Sequence, residues 1–156
     1  IEVQEIDGGD LAAVPGFIDS HEHILGGGGE GGFHTRTPEA SLGDLIQNGI
    51  TTVVGCIGTD GVGRDMTALL AKAHALENEG ISTYAYTGSY QVQVHTLTDS
   101  LMKDIMMLDI VIGVGEVAVS LHRSSQPTFE EFVRIASDAS VAGFVSGTAG
   151  MVTLHQ

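Results

Sequence analysis

A chain of 156 residues is long enough to bury one core and short for two. Its formal net charge of −14, with only six lysines and arginines, excludes the basic footprint of a nucleic-acid or anionic-membrane binder. The single cysteine, Cys56, excludes an intrachain disulfide and suits a reducing, cytoplasmic setting, and neither a signal peptide nor an apolar run of membrane length is read.

In chain order, Ile1-Glu2-Val3-Gln4-Glu5-Ile6 alternates apolar and polar residues, which predicts a strand with one exposed face. Asp7-Gly8-Gly9-Asp10 is a turn signal, and residues 11–14 are expected to return as a second strand. From Pro15 onward strand and helix patterns alternate. Phe17-Ile18 opens a buried strand that ends in His21-Glu22-His23. Alternate side chains on a strand share a face, so His21 and His23 project together while Glu22 faces away. Two converging imidazoles make half of a metal site, although two ordinary histidines fit the same pattern. The glycines at 26–29 leave room for a ligand against the backbone.

Thr37 as N-cap and Pro38 at the first helical position predict a helix over 39–48, closed by Gly49. Residues 50–57 are apolar and β-branched, as in a strand covered on both faces, and place Cys56 as a small core residue. A helix over 64–79 carries Met66, Leu69, Leu70, Ala73 and Leu76 as its stripe and stops at Gly80. Residues 81–87 form a third strand, 98–108 a third helix and 110–114 a fourth strand with room to run on to 119. Thr128-Phe129-Glu130-Glu131 is a capping box opening a fourth helix. The glycine-rich segment 142–150 leads into a fifth strand over 151–154.

Five strands alternating with helices predict parallel βα units, for which an open doubly wound sheet is the default. No phosphate-loop motif supports that default. Polar residues instead follow each strand: His21, His23 and Glu30; Thr59 and Asp60; Tyr90; Glu116, His122 and Arg123; and His155.

Pro15-Gly16-Phe17-Ile18-Asp19-Ser20-His21-Glu22-His23 resembles the first barrel strand of the amidohydrolase superfamily of metal-dependent hydrolases. The continuation through Gly26–Glu30, TRTPEASL, TTVVGCIGTD and His122-Arg123-Ser124 is similar, more narrowly, to the isoaspartyl (β-aspartyl) dipeptidases. The resemblance runs in order along nearly the whole chain. It implies a partial (β/α)8 TIM-type barrel, about its first five strands, with residues 1–14 as the end of a small flanking β-domain and 15–156 as the first part of the barrel. Such a barrel needs eight strands and about 250 residues, so the chain is read as the N-terminal portion of a longer enzyme.

The resemblance also implies the chemistry: amide hydrolysis of β-aspartyl dipeptides by a hydroxide bridging two zinc ions. His21 and His23 hold one zinc and His155 the other. The bridging position is filled in similar enzymes by a carboxylated lysine, but the only lysines here, Lys72 and Lys103, fall inside helices. Counting back from His122-Arg123-Ser124 puts Glu116 there, a native anionic oxygen donor. By the same resemblance Glu30 holds the substrate's free α-amino group, and Gly28, Gly29 and Thr59 bind the isoaspartyl α-carboxylate. Tyr90 polarises the scissile carbonyl and Arg123 takes the carboxylate of the leaving residue. A carboxylate general base and a further metal histidine are expected from later strands.

His122 is read as a supporting or structural residue, and His34, His74 and His95 as ordinary histidines. The implied partner is a small dipeptide, with neither nucleic acid nor membrane, and the full-length enzyme is expected to be a homo-oligomer. The rival readings are another amidohydrolase, dihydroorotase-like or an N-acyl amino acid deacylase, and a truncated, non-catalytic domain.

Overall fold

A computed structural model describes residues 3–156. Five strands make one parallel sheet in the order β1-β2-β3-β4-β5: β1 Phe17–Glu22, β2 Ile50–Gly55, β3 Ser82–Thr87, β4 Val111–Ala118 and β5 Met151–His155. The connections carry α1 Leu42–Ile46, α2 Met66–Glu79, α3 Leu101–Met107 and α4 Phe129–Ser146. Sequential parallel strands joined by helices curl into a half-barrel, so all strand C-termini lie at one end.

Local chemistry explains most element boundaries. The α2 stripe is buried as expected, Asp65 caps its start by accepting from the Ala68 N–H, and Gly80 ends it at φ 109°. Only a residue without a Cβ adopts that conformation cheaply. The Thr128–Glu131 capping box opens α4 as read. The glycine-rich stretch begins inside that helix rather than after it, because Gly143 packs against Gly150: a Cβ on Gly143 would stand 2.5 Å from the Gly150 Cα.

Three expectations are corrected. Phe17 and Ile18, read as opening a buried strand, are exposed, because β1 is a rim of the sheet and no element covers their face. The helix expected over 39–48 is the short α1, capped by a reciprocal Ser41–Asp44 box. The Thr37 hydroxyl is committed elsewhere, accepting from the Gly27 N–H at 2.7 Å, and the Ala40 N–H donates to the Ile24 carbonyl. Residues 37–40 therefore belong to the glycine loop. The two short strands expected before residue 15 are also absent among the described residues. Val3, Ile6, Leu11 and Val14 are all exposed, and no neighbouring strand offers a ladder to pair with; residues 1 and 2 lie outside the described residues. The turn between them does form, with the Leu11 N–H donating to the Gly8 carbonyl.

The core fills the layer between the sheet and its helices, with Val53, Leu69, Leu76, Ile105, Val111, Val114 and Val117 at its centre. One fully buried carboxylate, Asp104, anchors the chain between β3 and α3. It accepts from the Thr87 hydroxyl at 2.5 Å, the Leu97 and Thr98 N–H groups at 2.9 and 3.0 Å, and the Thr98 hydroxyl at 2.7 Å. Replacing Asp104 with alanine strands the buried Thr87 hydroxyl and three part-buried donors at once. The expected cost is about 3–4 kcal/mol, read as a lowered urea midpoint at unchanged slope and submicromolar protein.

Candidate metal centre and substrate cavity

The period of the strand brings His21 and His23 to the C-terminal end of β1 on one side, their rings 5.7 Å apart and inclined at 69°. Glu116 reaches the same point from β4, and His155 from the last residue of β5. Three imidazoles thus surround one carboxylate. His21 Nε2 lies 3.0 Å from Glu116 Oε2, His23 Nε2 3.1 Å from Oε1 and His155 Nδ1 2.6 Å from Oε2.

The Glu116 side chain is completely buried. Burial alone opposes its charge. The imidazoles of His23 and His155, and the charge of nearby His21, outweigh burial and hold the carboxyl at about 2. The carboxylate in turn raises the pKa of His23 against the opposing effect of burial.

The donor set suits a divalent ion. Imidazole nitrogen with carboxylate oxygen is the ligand chemistry of zinc. Glu116 Oε1 is buried and receives no aligned hydrogen bond, although His23 Nε2 stands 3.1 Å away. A buried carboxylate oxygen without an aligned donor is free to meet a cation. The ligating atoms of His21, His23, Cys56 and Glu116 all lie within 4.8 Å of one another. Cys56, read from the sequence as core, is buried as expected, yet its sulfur sits 3.8 Å from His23 Nδ1. Burial pushes its thiol pKa up, which keeps it protonated.

Tyr90 stands beside this group, its hydroxyl 3.0 Å from His155 Nδ1. Burial is the main reason its phenol pKa is raised, with the Glu116 charge adding to it. The Arg123 guanidinium stacks 5.2 Å over the Tyr90 ring. Arg123 Nη1 also forms an ion pair with Glu30 Oε1, which accepts from the Thr59 hydroxyl at 2.9 Å. That pair is the main cause of the lowered pKa of Glu30. Glu30 and Arg123, read as gripping opposite ends of a substrate, therefore grip each other here.

Around them His23, Gly27, Gly28, Glu30, Thr59, Tyr90 and Arg123 line a cavity of about 90 Å³. Gly28 takes φ 68°, and a Cβ there would stand 2.4 Å from the Thr35 carbonyl oxygen, so this turn needs glycine. Gly29 is likewise at positive φ in the same loop. A larger hollow of about 460 Å³, lined by His74, Glu77, Ser82, Tyr84 and Asp109, opens at the N-terminal ends of β3 and β4, away from the metal-type cluster.

The remaining histidines stand apart. His122 is exposed beside Arg123, His74 meets only Glu77 at 3.4 Å on the surface of α2, and His95 is exposed in a loop. His34 lies in a single 3₁₀ turn, Phe33–Thr35, that the sequence did not signal. Lys72 and Lys103 sit in α2 and α3, Lys72 paired with Glu39. Among the described residues no helix is long and apolar enough to cross a membrane. Arg64 is the residue the sequence reading passed over: it is buried and lines the cavity. Its partners are carbonyls far away in sequence, so no local pattern could have marked it.

Two crystal structures of the β-aspartyl dipeptidase from the thermophilic, keratin-degrading Fervidobacterium islandicum AW-1 match the chain at 60% identity and a TM-score of 0.89. Each match covers 90% of this chain and 38% or 37% of the dipeptidase, so the chain spans well under half the length of these neighbours. The second of the two is in complex with a β-Asp-Leu dipeptide. No family model matches the chain. The resemblance read from the glycine loop and the His-x-His strand is thus to the right group of enzymes, and the curled parallel sheet is the partial barrel it implied.

Proposed function

We propose that this chain, similar over nearly all its length to a β-aspartyl dipeptidase, supplies the metal-binding half of an enzyme that hydrolyses β-aspartyl dipeptides. The observation that carries the reading is the convergence of His21, His23 and His155 on the buried Glu116, with Tyr90 at its edge. His21 and His23 would hold one zinc, His155 a second, and Glu116 would bridge them in place of a carboxylated lysine. Bound zinc supplies a water-derived nucleophile at neutral pH and polarises the scissile carbonyl.

The chain's own residues do the rest. Tyr90 would donate a hydrogen bond from its hydroxyl to the oxygen that becomes negative as the amide carbonyl turns tetrahedral. Glu30, a carboxylate whose pKa is lowered, suits the substrate's α-ammonium, and Arg123 suits the carboxylate of the leaving residue. In this structure the two neutralise each other, so a zwitterionic dipeptide enters by exchange: its ammonium replaces Arg123 at Glu30 and its carboxylate replaces Glu30 at Arg123. Neither protein charge is left bare, which favours a dipeptide carrying an ammonium as well as its carboxylates over an N-acyl amino acid. Gly28 and Thr59 border the same cavity, and with Gly29 of the same loop they would receive the α-carboxylate. The general base and a further histidine are taken to come from strands beyond β5. A cytoplasmic homo-oligomer, with residues 1–14 adjoining a flanking β-domain, completes the proposal.

Tyr90→Phe tests the oxyanion role. It removes one donor while keeping the ring under Arg123. The full-length enzyme should lose about 10²–10³-fold in kcat on β-Asp-Leu, with KM nearly unchanged and metal content intact. A variant with wild-type kcat would remove Tyr90 from the chemistry.

A further inference from the structure

Asp60 and Arg64 follow β2, four residues apart, and both reach across to the glycine loop that follows β1. Arg64 is only 6% exposed. Its Nε donates to the Leu25 carbonyl at 3.0 Å, and its Nη2 to the Gly27 carbonyl at 2.9 Å and the Thr37 carbonyl at 3.3 Å. Leu25 and Gly27 lie on the outgoing leg of the loop and Thr37 on the returning leg. Asp60 holds the returning leg a second time through its ion pair with Arg36, whose Nη2 also donates to the Gly63 carbonyl at 3.3 Å. Asp60 is itself fixed, its Oδ1 accepting from the Val62 and Gly63 N–H groups at 3.2 and 2.7 Å.

The two legs of the loop are tied to each other, the Thr37 N–H donating to the Gly27 carbonyl at 3.0 Å and the Gly27 N–H to the Thr37 hydroxyl at 2.7 Å, while Arg64 and Asp60 tie both legs to the segment after β2. Gly26, Gly28, Gly29 and Gly32 all sit at positive φ, and a glycine run loses more backbone freedom on ordering than any other sequence. Yet its tip carries Glu30, whose place beside Thr59 and Arg123 decides what the cavity binds. A buried cation whose nearest carboxylate oxygen, on Asp60, is 3.9 Å away is an expensive device for mere packing. A planar fork reaching three carbonyls at fixed angles is something only arginine supplies.

We propose that Asp60 and Arg64 form a two-residue clasp that presets the glycine loop, and with it Glu30, for the substrate's α-ammonium. They are positioning residues: both border the cavity, but the polar atoms of Arg64 are committed to the backbone of residues 25–37 and those of Asp60 to Arg36 and its own turn. The proposal rests on the dipeptidase reading above for its substrate, though not for the clasp itself.

The test uses Arg64→Lys, which keeps the charge but cannot fork, and Asp60→Asn, in the metal-loaded full-length enzyme. For β-Asp-Leu, KM should rise at least tenfold while kcat moves far less, and metal content should stay at the wild-type value. For N-succinyl-leucine, the same molecule without the α-amino group, the variants and wild type should differ by less than threefold in kcat/KM. Equal losses on both compounds would mean a structural role only and overturn the proposal. Amide hydrogen exchange gives an answer independent of turnover. Residues 26–36 should lose protection in either variant while β4 and β5 keep theirs, and unchanged exchange in that loop would also overturn the clasp. Wild-type enzyme that binds metal but hydrolyses neither compound would refute the dipeptidase reading, leaving exchange to decide the clasp.

Discussion

Glu116→Gln is expected to empty the metal centre. The amide keeps one oxygen but loses the negative charge and presents an NH₂ face to imidazoles that now have nothing to balance. Removing a ligand's partner alone costs about 10–100-fold in metal affinity, and a bridging anion contacts two ions, so the loss should be at least about 100-fold. Metal analysis after dialysis should show the variant depleted while the wild type keeps its ions without added bicarbonate, since Glu116 needs no carbon dioxide adduct. Lys72→Ala and Lys103→Ala should leave metal content untouched, because Lys72 is committed to Glu39 on the outside of α2 and Lys103 lies on α3. Unchanged zinc stoichiometry in Glu116→Gln would overturn its assignment as the bridge.

Residues 1–156 expressed alone should associate and should not hydrolyse a β-aspartyl dipeptide. β1 and β5 are the two rims of the described sheet, each with one side of its backbone ladder unpaired. Phe17 and Ile18 on β1 are 69% and 70% exposed, and Phe144 at the end of α4 is 90% exposed. Open strand edges beside apolar side chains recruit other chains. The match covers only 38% or 37% of the similar dipeptidases' chains, so turnover is not expected of this stretch alone. Light scattering should report species well above the 16.2 kDa monomer. A monodisperse monomer that cleaves β-Asp-Leu, and loses that activity in Tyr90→Phe, would prove this expectation wrong.

How much of this was legible in the sequence depended on how local the cause was. The α2 stripe, the Thr128 box and the Gly80 stop are set by residues a few positions apart, and each stands where it was read. Thr37-Pro38 misled because its helix-start chemistry was outbid by a partner ten residues back, the Gly27 N–H. His21 and His23 were legible as a pair because the strand period alone puts them on one side. That Glu116 would meet both needed the resemblance, since nothing near Gly115-Glu116 signals a ligand. Glu30 and Arg123 were each given a charge to bind, but no sequence pattern shows that residues 93 apart meet one another. Arg64 was invisible for the same reason: a cation ahead of a helix reads as a solvated one until the carbonyls it points to are known.

The placing of the histidines has a mechanical consequence. His21 and His23 ride on one rim of the curled sheet and His155 on the other, while Glu116 stands on the strand next to the second rim. Whatever joins these side chains therefore runs as a chord across the open arc, tying first strand to last. The curvature that five strands would otherwise keep only by twist is held at one end by a short tie of nitrogen and oxygen atoms. The end of the half-barrel that carries the histidine–glutamate cluster is thereby also the end at which its two rims are joined.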